Sequence, residues 1–164
     1  GKLTEQEFKT IKEHTTRGYK LLMEKGVDET IARVALMHHE KCDGSGYPLG
    51  LKADQISQYA KLITVVDIYE AMTANRVYRD GVCPFEVVRL YEAEGFQKYD
   101  AKYIITFLRG IVDTYINNTV SLSDGRTGEV VMINSQSLSN PIVKVGDEFL
   151  DLSTMPNVNI VNIL

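Results

Sequence analysis

The chain has 164 residues and a mass of 18.4 kDa, which suits one domain with at most a small appendage. Apolar residues make up 44% and charged residues 24%, and the net charge is −4, so neither a disordered chain nor a binder of nucleic acid polymers is expected. Two cysteines are too few for a disulfide scaffold, and no apolar run approaches the roughly 20 residues of a membrane span, so we expect a cytoplasmic protein. The first residue is Gly1 rather than Met, which suggests a fragment of a longer protein.

Helical periodicity dominates residues 1–118. Thr4 followed by Glu7 is a capping-box pattern that predicts the start of a first helix, and Gly26 predicts its end. Asp28 is expected to cap a second helix, whose apolar face runs to the paired histidines. Three further helices are predicted at residues 59–76, 84–95 and 101–117.

Strand signals replace this pattern after residue 118. Asp124-Gly125 is a turn dipeptide that predicts a hairpin between residues 119–122 and 127–133. Further strand-like runs follow at residues 141–152 and 158–164. We therefore predict a mainly α fold, with a bundle of about five helices in residues 1–118 and a small antiparallel β unit in residues 119–164 that has a structural or interaction role.

Four polar side chains lie on or beside predicted apolar helix faces: His14, His38, His39 and Asp67. Asp67 stands in an apolar run, and a carboxylate buried there needs a metal, a cation or strong hydrogen-bond donors. A mixed nitrogen and carboxylate set suits Fe, Mn or Zn better than Mg or Ca. The spacing alone leaves open that the histidines are ordinary core residues and that Asp67 only accepts hydrogen bonds.

Residues 43–50 form a glycine-rich loop that cannot continue a helix. The loop is either a simple turn or a place where a substrate approaches the backbone while Tyr47 supplies a ring or hydroxyl. Arg76 and Arg79 are either the solvated end of a helix or, if Asp67 binds metal, a clamp for phosphate.

Residues 38–51 read HHEKCDGSGYPLGL, which resembles the HHExxDGxGYPxGL signature of the HD-GYP family. Residues 60–73, with the two arginines after them, resemble the next helix of that family. Residues 1–14 resemble the helix that precedes the paired histidines. The resemblance covers about residues 1–115, and the β unit lies outside the core of that domain.

The resemblance implies a helical, metal-dependent phosphohydrolase that hydrolyses the bacterial messenger cyclic di-GMP with two or three divalent metals, most often Fe or Mn. The positions that match metal ligands of the family are His14, His38, His39 and Asp67. The positions that match the loop beside the substrate are Gly46, Tyr47 and Pro48. The positions that match phosphate-binding residues are Arg76 and Arg79. No catalytic side chain is implied beyond the metal-bound water.

The HD motif of the family belongs upstream of Gly1, and the chain contains no His-Asp pair. We therefore expect this chain to hold part of a metal site and the intact protein to be a cyclic di-GMP phosphodiesterase that turns over a signal. The alternative is a catalytically inactive module that binds cyclic di-GMP or a signalling partner protein. Signalling-domain proteins and a second copy of the chain are the further partners expected.

Overall fold

The computed structural model describes residues 4–75 and 80–164. The chain divides into two compact units. The first unit comprises Gly1–Glu70 and Gly95–Ile104, and the second comprises Ala71–Glu94 and Ile105–Leu164. The candidate metal ligands of the sequence analysis all belong to the first unit.

Helix α1 spans Glu5–Glu24 and begins as predicted. The hydroxyl of Thr4 accepts the Glu7 backbone N–H at 3.2 Å, and the Glu7 carboxylate accepts the Thr4 backbone N–H at 2.8 Å. These two bonds satisfy backbone donors that the first turn of a helix leaves free. The helix ends before Gly26, whose φ of 71° is a left-handed conformation that glycine adopts without strain.

Helix α2 spans Glu29–Met37 and is capped by Asp28, whose carboxylate accepts the Thr30 backbone N–H at 2.8 Å. Both paired histidines were expected on this helix, but it ends one residue before them. The His38 N–H makes the closing bond to the Val34 carbonyl at 3.0 Å, and His39 lies in the turn that follows. Leaving the helix lets the two adjacent rings approach one point, which the 100° step between helical neighbours hinders.

The remaining helices are α3 (Gln58–Thr73), α4 (Pro84–Leu90), the single turn α5 (Phe96–Lys98) and α6 (Ala101–Asp113). A short 3-10 turn precedes α3 at Ala53–Gln55, and a π-helical segment links α4 to α5 at Tyr91–Gly95. The predicted helix at 84–95 is therefore α-helical only in its first half.

The predicted end of the last helix at residue 117 is wrong. Helix α6 stops at Asp113, and turns cover the residues after it. Asn117 adopts a left-handed φ of 69°, and its N–H donates to the Val130 carbonyl at 2.7 Å. A partner on a strand therefore draws the chain out of the helix.

Five strands form one antiparallel sheet in the order β4-β3-β2-β1-β5. The strands are β1 (Thr119–Leu122), β2 (Thr127–Met132), β3 (Ile142–Val145), β4 (Glu148–Asp151) and β5 (Ile160–Ile163). The predicted mainly α fold with a C-terminal antiparallel unit is confirmed, and five helices of at least seven residues lie in the described ranges. The domain boundary between residues 118 and 119 stays a prediction.

An apolar core cluster of the first unit includes Met37, the residue directly before the histidine turn. Met37, Ile56 and Ala60 are at most 6% exposed and cluster together, with Leu36 and Leu51 packed against them. This core joins the end of α2 to the start of α3, so it fixes the point where the chain leaves α2. None of the helices in residues 4–75 and 80–164 combines the length and apolar character that a bilayer crossing requires.

Candidate metal centre

Three histidines from separate chain positions converge in the first unit. His14 lies on α1, His38 closes α2 and His39 follows it. One ring nitrogen of each lies within 4.8 Å of the other two. The Nε2 atoms of His14 and His38 are 3.1 Å apart. In the described part of the chain this is the one cluster of three or more His, Cys, Asp or Glu side chains with metal-binding spacing.

Backbone carbonyls fix the tautomers of two of these rings. The Nδ1 of His14 lies 2.6 Å from the Ile11 carbonyl oxygen, and the Nδ1 of His38 lies 2.8 Å from that of Ala35. A carbonyl only accepts, so each Nδ1 carries the proton and each neutral ring presents the lone pair of its Nε2. Two lone pairs therefore face each other at 3.1 Å, an arrangement that a cation between them relieves. The donor set fits a divalent metal, whose histidine ligands commonly donate their other N–H to a carbonyl.

His39 is neutral at physiological pH. Burial lowers the pKa of its imidazole to about 4, with the neighbouring His38 and His14 acting in the same direction and Asp67 opposing them. The neutral imidazole is the form that binds a metal. The His39 ring therefore carries a free lone pair at neutral pH.

Asp67 lies on α3, with its Oδ2 atom 3.8 Å from the His39 Nδ1. The expected burial of this carboxylate is not found, because its side chain is 41% exposed. The apolar neighbours Ile63 and Val66 are themselves exposed, so the apolar run around Asp67 is not a core stripe. Asp67 faces the histidines but lies outside their cluster, and its role as a ligand stays a prediction.

The glycine-rich loop folds back onto the histidine turn. The Tyr47 ring stacks on the His39 imidazole, with a centroid separation of 4.7 Å and an interplanar angle of 29°. The Tyr47 N–H donates to the His39 carbonyl at 3.2 Å. A Cβ at Gly46 would lie 2.6 Å from that same carbonyl oxygen and closer still to the backbone of Glu40 and Lys41, so only glycine fits. Pro48 follows through a cis peptide bond.

Comparison with known proteins identifies the family. Residues 1–103 match the family model described as HD domain. The chain belongs to the HD domain family. The signature at residues 38–51 and the relatives below place it in the HD-GYP branch of that family.

The chain is 36% identical over 146 residues to the cyclic di-GMP phosphodiesterase PA4108 of Pseudomonas aeruginosa, covering 88% of this chain and 35% of that protein. It is 35% identical over 120 residues to a cyclic di-GMP phosphodiesterase of Thermotoga maritima, covering 70% of this chain and 33% of that protein. It is 42% identical over 79 residues to the 3'3'-cGAMP-specific phosphodiesterase 3 of Vibrio cholerae, covering 48% of this chain and 17% of that protein. The chain thus spans about a third or less of these curated relatives. Membership of the HD family implies use of divalent metal.

One structurally prominent residue of this HD-GYP chain escaped the sequence analysis. Glu40 is 2% exposed, and its carboxylate accepts the backbone N–H of Leu49 at 2.7 Å and of Leu51 at 2.9 Å. A glutamate beside a polar loop gives no sequence sign of burial. The only signal was its fixed place after the two histidines in the HD-GYP signature.

An apolar groove of about 720 Å³ opens beside His38. Apart from His38 and Thr30, its lining is aliphatic and aromatic, from Leu22, Ile31, Val34, Ala35, Tyr59 and Ile63. The groove offers almost no polar partner for phosphate. Arg76 and Arg79, the predicted phosphate-binding residues, lie outside the described residues.

Proposed function

We propose that the intact protein is a metal-dependent phosphodiesterase that hydrolyses cyclic di-GMP. The observation that carries this proposal is the pair of Nε2 lone pairs held 3.1 Å apart by two Nδ1–H bonds, with the neutral His39 ring beside them. The names of several relatives support the substrate class. The proposed location is the bacterial cytoplasm, where turnover of the messenger ends its signal.

The proposed metal ligands are His14, His38, His39 and Asp67. Nitrogen donors with a carboxylate nearby suit Fe or Mn better than Mg or Ca, and we propose a centre of two or three such ions in the intact protein. A bound divalent ion supplies positive charge that stabilises the phosphoryl oxygens as the phosphodiester reacts.

The contribution of the chain itself is orientation. The Nδ1–H bonds to Ile11 and Ala35 hold two rings in one tautomer. The buried hydroxyl of Thr64 lies 2.8 Å from the His38 carbonyl oxygen and fixes the turn to α3. Burial, with Asp67 nearby, raises the pKa of Tyr47, so its hydroxyl stays protonated.

Substrate contacts remain proposals from the resemblance. Gly46, Tyr47 and Pro48 are proposed to lie beside the substrate, and Arg76 and Arg79 to hold its phosphates. A guanidinium pairs with two phosphate oxygens at once, which gives it geometric selectivity for this group.

Two cyclic dinucleotides need to be compared. The Vibrio cholerae relative is named for 3'3'-cGAMP, whereas the other two are named for cyclic di-GMP. Both molecules are cyclic dinucleotides with two phosphodiester bonds, so the metal-binding histidines alone do not discriminate between them. We propose cyclic di-GMP as the preferred substrate.

The test is hydrolysis of each dinucleotide by the intact protein loaded with Mn²⁺ or with Fe²⁺ under anaerobic conditions. The linear dinucleotide and mononucleotides are separated by chromatography, and metal content is measured by elemental analysis. His38→Ala is expected to lower metal content and turnover together. Arg33→Gln on α2, the helix that His38 follows, breaks only an exposed ion pair with Glu29 and is the matched control. Full turnover and metal content in His38→Ala would contradict the proposal.

A further inference from the structure

The loop that carries Tyr47 is closed by a single buried carboxylate. Both oxygens of Glu40 accept backbone N–H groups, from Leu49 and from Leu51. Bonds from backbone N–H to an ionised acceptor are stronger than neutral ones, and a buried carboxylate that loses them is costly. Glu40 therefore ties residues 49–51 to the turn that directly follows His39.

The closed loop places Tyr47 against His39 in two ways. Its backbone N–H bonds the His39 carbonyl, and its ring stacks on the imidazole. The ammonium of Lys12 lies over the Tyr47 ring, 5.0 Å from its centroid, and over the Phe8 ring at 4.5 Å. The aromatic ring of Tyr47 is thus engaged by groups of the chain itself.

His39 differs from the other two histidines in what supports it. His14 and His38 each donate Nδ1–H to the carbonyl three residues earlier. Within the described residues no comparable bond to a carbonyl holds His39, and its Nδ1 lies 3.8 Å from Asp67, beyond hydrogen-bond distance. The His38 ring is nearer, with a centroid separation of 4.2 Å, but it is tilted by 40° and is itself a proposed ligand. The Tyr47 stack is therefore the support that the His39 ring plane receives from outside the histidine cluster.

We propose that Glu40 is a positioning residue for His39. Its carboxylate sets the loop, and the loop holds the Tyr47 ring so that the His39 imidazole points toward His14 and His38. Tyr47 then acts on the metal centre through His39 rather than by stacking on a substrate base. This inference rests on the proposed metal centre.

The test is a Co²⁺ titration of the metal-free intact protein, followed by calorimetry and by visible absorption, which reports the ligands around the ion. Glu40→Gln replaces one accepting oxygen by an NH₂ group that faces a backbone N–H. Tyr47→Leu removes the stack but leaves the loop bonds. Both are expected to weaken Co²⁺ binding about 10- to 100-fold, the usual effect of losing support for a ligand. Tyr47→Phe keeps the ring and is expected to stay within threefold of the parent.

The matched control is Glu92→Gln in the second unit. Glu92 also accepts two loop donors, the Leu138 N–H at 2.7 Å and the Ser139 hydroxyl at 2.5 Å. Glu92→Gln imposes a comparable loss of loop bonds in the unit that does not carry the histidines, so Co²⁺ affinity is expected to be unchanged. Tyr47→Leu keeps the test decisive if Glu40→Gln does not fold.

A double-mutant cycle with His39→Ala tests whether Tyr47 affects Co²⁺ affinity through His39. If Tyr47 acts through His39, then Tyr47→Leu causes less than a twofold further loss of Co²⁺ affinity in the His39→Ala background. An equal loss in both backgrounds would overturn the inference. Unchanged Co²⁺ affinity with a raised KM for cyclic di-GMP would also overturn it, because the loop would then serve the substrate.

His38→Ala separates failure of the inference from failure of the proposed function. If His38→Ala abolishes Co²⁺ binding while Glu40→Gln and Tyr47→Leu leave it intact, only the positioning role fails. If His38→Ala leaves Co²⁺ binding intact, the metal centre itself fails and the inference fails with it.

Discussion

Glu40 in the first unit and Glu92 in the second make the same kind of connection. Each carboxylate follows or belongs to a helical segment and accepts two hydrogen bonds from a distant stretch of loop. The Glu40 loop returns onto three converging histidines, whereas the Glu92 loop joins a sheet that contains no histidine at all. We therefore propose that the same kind of bond supports the metal centre in one place and only the fold in the other.

The comparison shows that burial of a carboxylate does not by itself mark a functional site. The role of each carboxylate depends on which residues its loop carries. The Glu40 loop carries Tyr47, which stacks on His39, whereas the Glu92 loop carries Leu138 and Ser139, which are both buried. Substitutions in the two regions should therefore have similar effects on stability and different effects on metal binding.

The largest effect is expected within the candidate site, where metal and phosphate roles are assigned to different residues. Asp67→Ala is expected to lower metal content and turnover together. Arg76→Ala removes no proposed ligand, so metal content should persist. The value of kcat/KM for cyclic di-GMP is expected to fall, by an amount that corresponds to a loss of about 2–5 kcal/mol in transition-state stabilisation. Arg76→Lys is expected to restore little activity if the phosphate contact is bidentate. Kinetics of Arg76→Ala within twofold of the parent at unchanged metal content would rule out the phosphate role.

The next largest effect is expected from substitution of two glycines whose surroundings leave no room for a Cβ. At Gly46 a Cβ would press on the backbone of the histidine turn, and at Gly128 on β2 it would lie 2.6 Å from the Lys144 carbonyl oxygen. Alanine at either position is expected to lower the free energy of unfolding by about 1–3 kcal/mol, measured by urea denaturation. Only Gly46→Ala should also weaken Co²⁺ binding. Equal Co²⁺ affinities in both variants would show that the loop does not support metal binding.

Much of the fold could be predicted because local signals agreed with the final structure. The Thr4 and Glu7 capping box, Asp28 and the Asp124-Gly125 turn each act over a few residues, and each delimits an element as expected. The end of α6 could not be predicted, since it depends on the bond from Asn117 to Val130 on another element.

In the candidate site, too, features set by local sequence could be predicted, and features that depend on distant contacts could not. The signature marked the paired histidines and the loop, but not how they are held. The exposure of Asp67 depends on how α3 packs. Its apolar neighbours in the sequence predicted burial, but Ile63 and Val66 are themselves exposed. The burial of Glu40 depends on two N–H groups 9 and 11 residues along the chain, donors that composition and periodicity do not reveal.

Glu92→Gln tests the structural side of the comparison. The substitution leaves one of the two donors to Glu92, the Leu138 N–H or the Ser139 hydroxyl, facing an NH₂ group. The free energy of unfolding is therefore expected to fall by about 1–3 kcal/mol. Thermal denaturation by circular dichroism measures this loss, and metal content provides the second readout. A loss of metal in Glu92→Gln as large as that in Glu40→Gln would mean that the two connections are not functionally distinct.

The smallest effect concerns two lysines that lie over aromatic rings, one in each unit. The Lys12 ammonium lies 4.5 Å from the Phe8 centroid and 5.0 Å from that of Tyr47, whereas Lys144 lies 6.0 Å from that of Phe149, which is 67% exposed. Cation–π contacts weaken with distance and solvation. Lys12→Met is therefore expected to cost about 0.5–1 kcal/mol of unfolding free energy, and Lys144→Met less than about 0.5 kcal/mol.

The two lysine variants should also differ in metal binding. Lys12→Met loosens one of the contacts that hold the Tyr47 ring, but the Glu40 bonds and the bond from Tyr47 to the His39 carbonyl remain. Co²⁺ affinity is therefore expected to fall two- to fivefold in Lys12→Met, far less than in Tyr47→Leu, and to stay unchanged in Lys144→Met. A loss in Lys12→Met as large as that in Tyr47→Leu would show that the ammonium, and not the closed loop, is the main support of the ring.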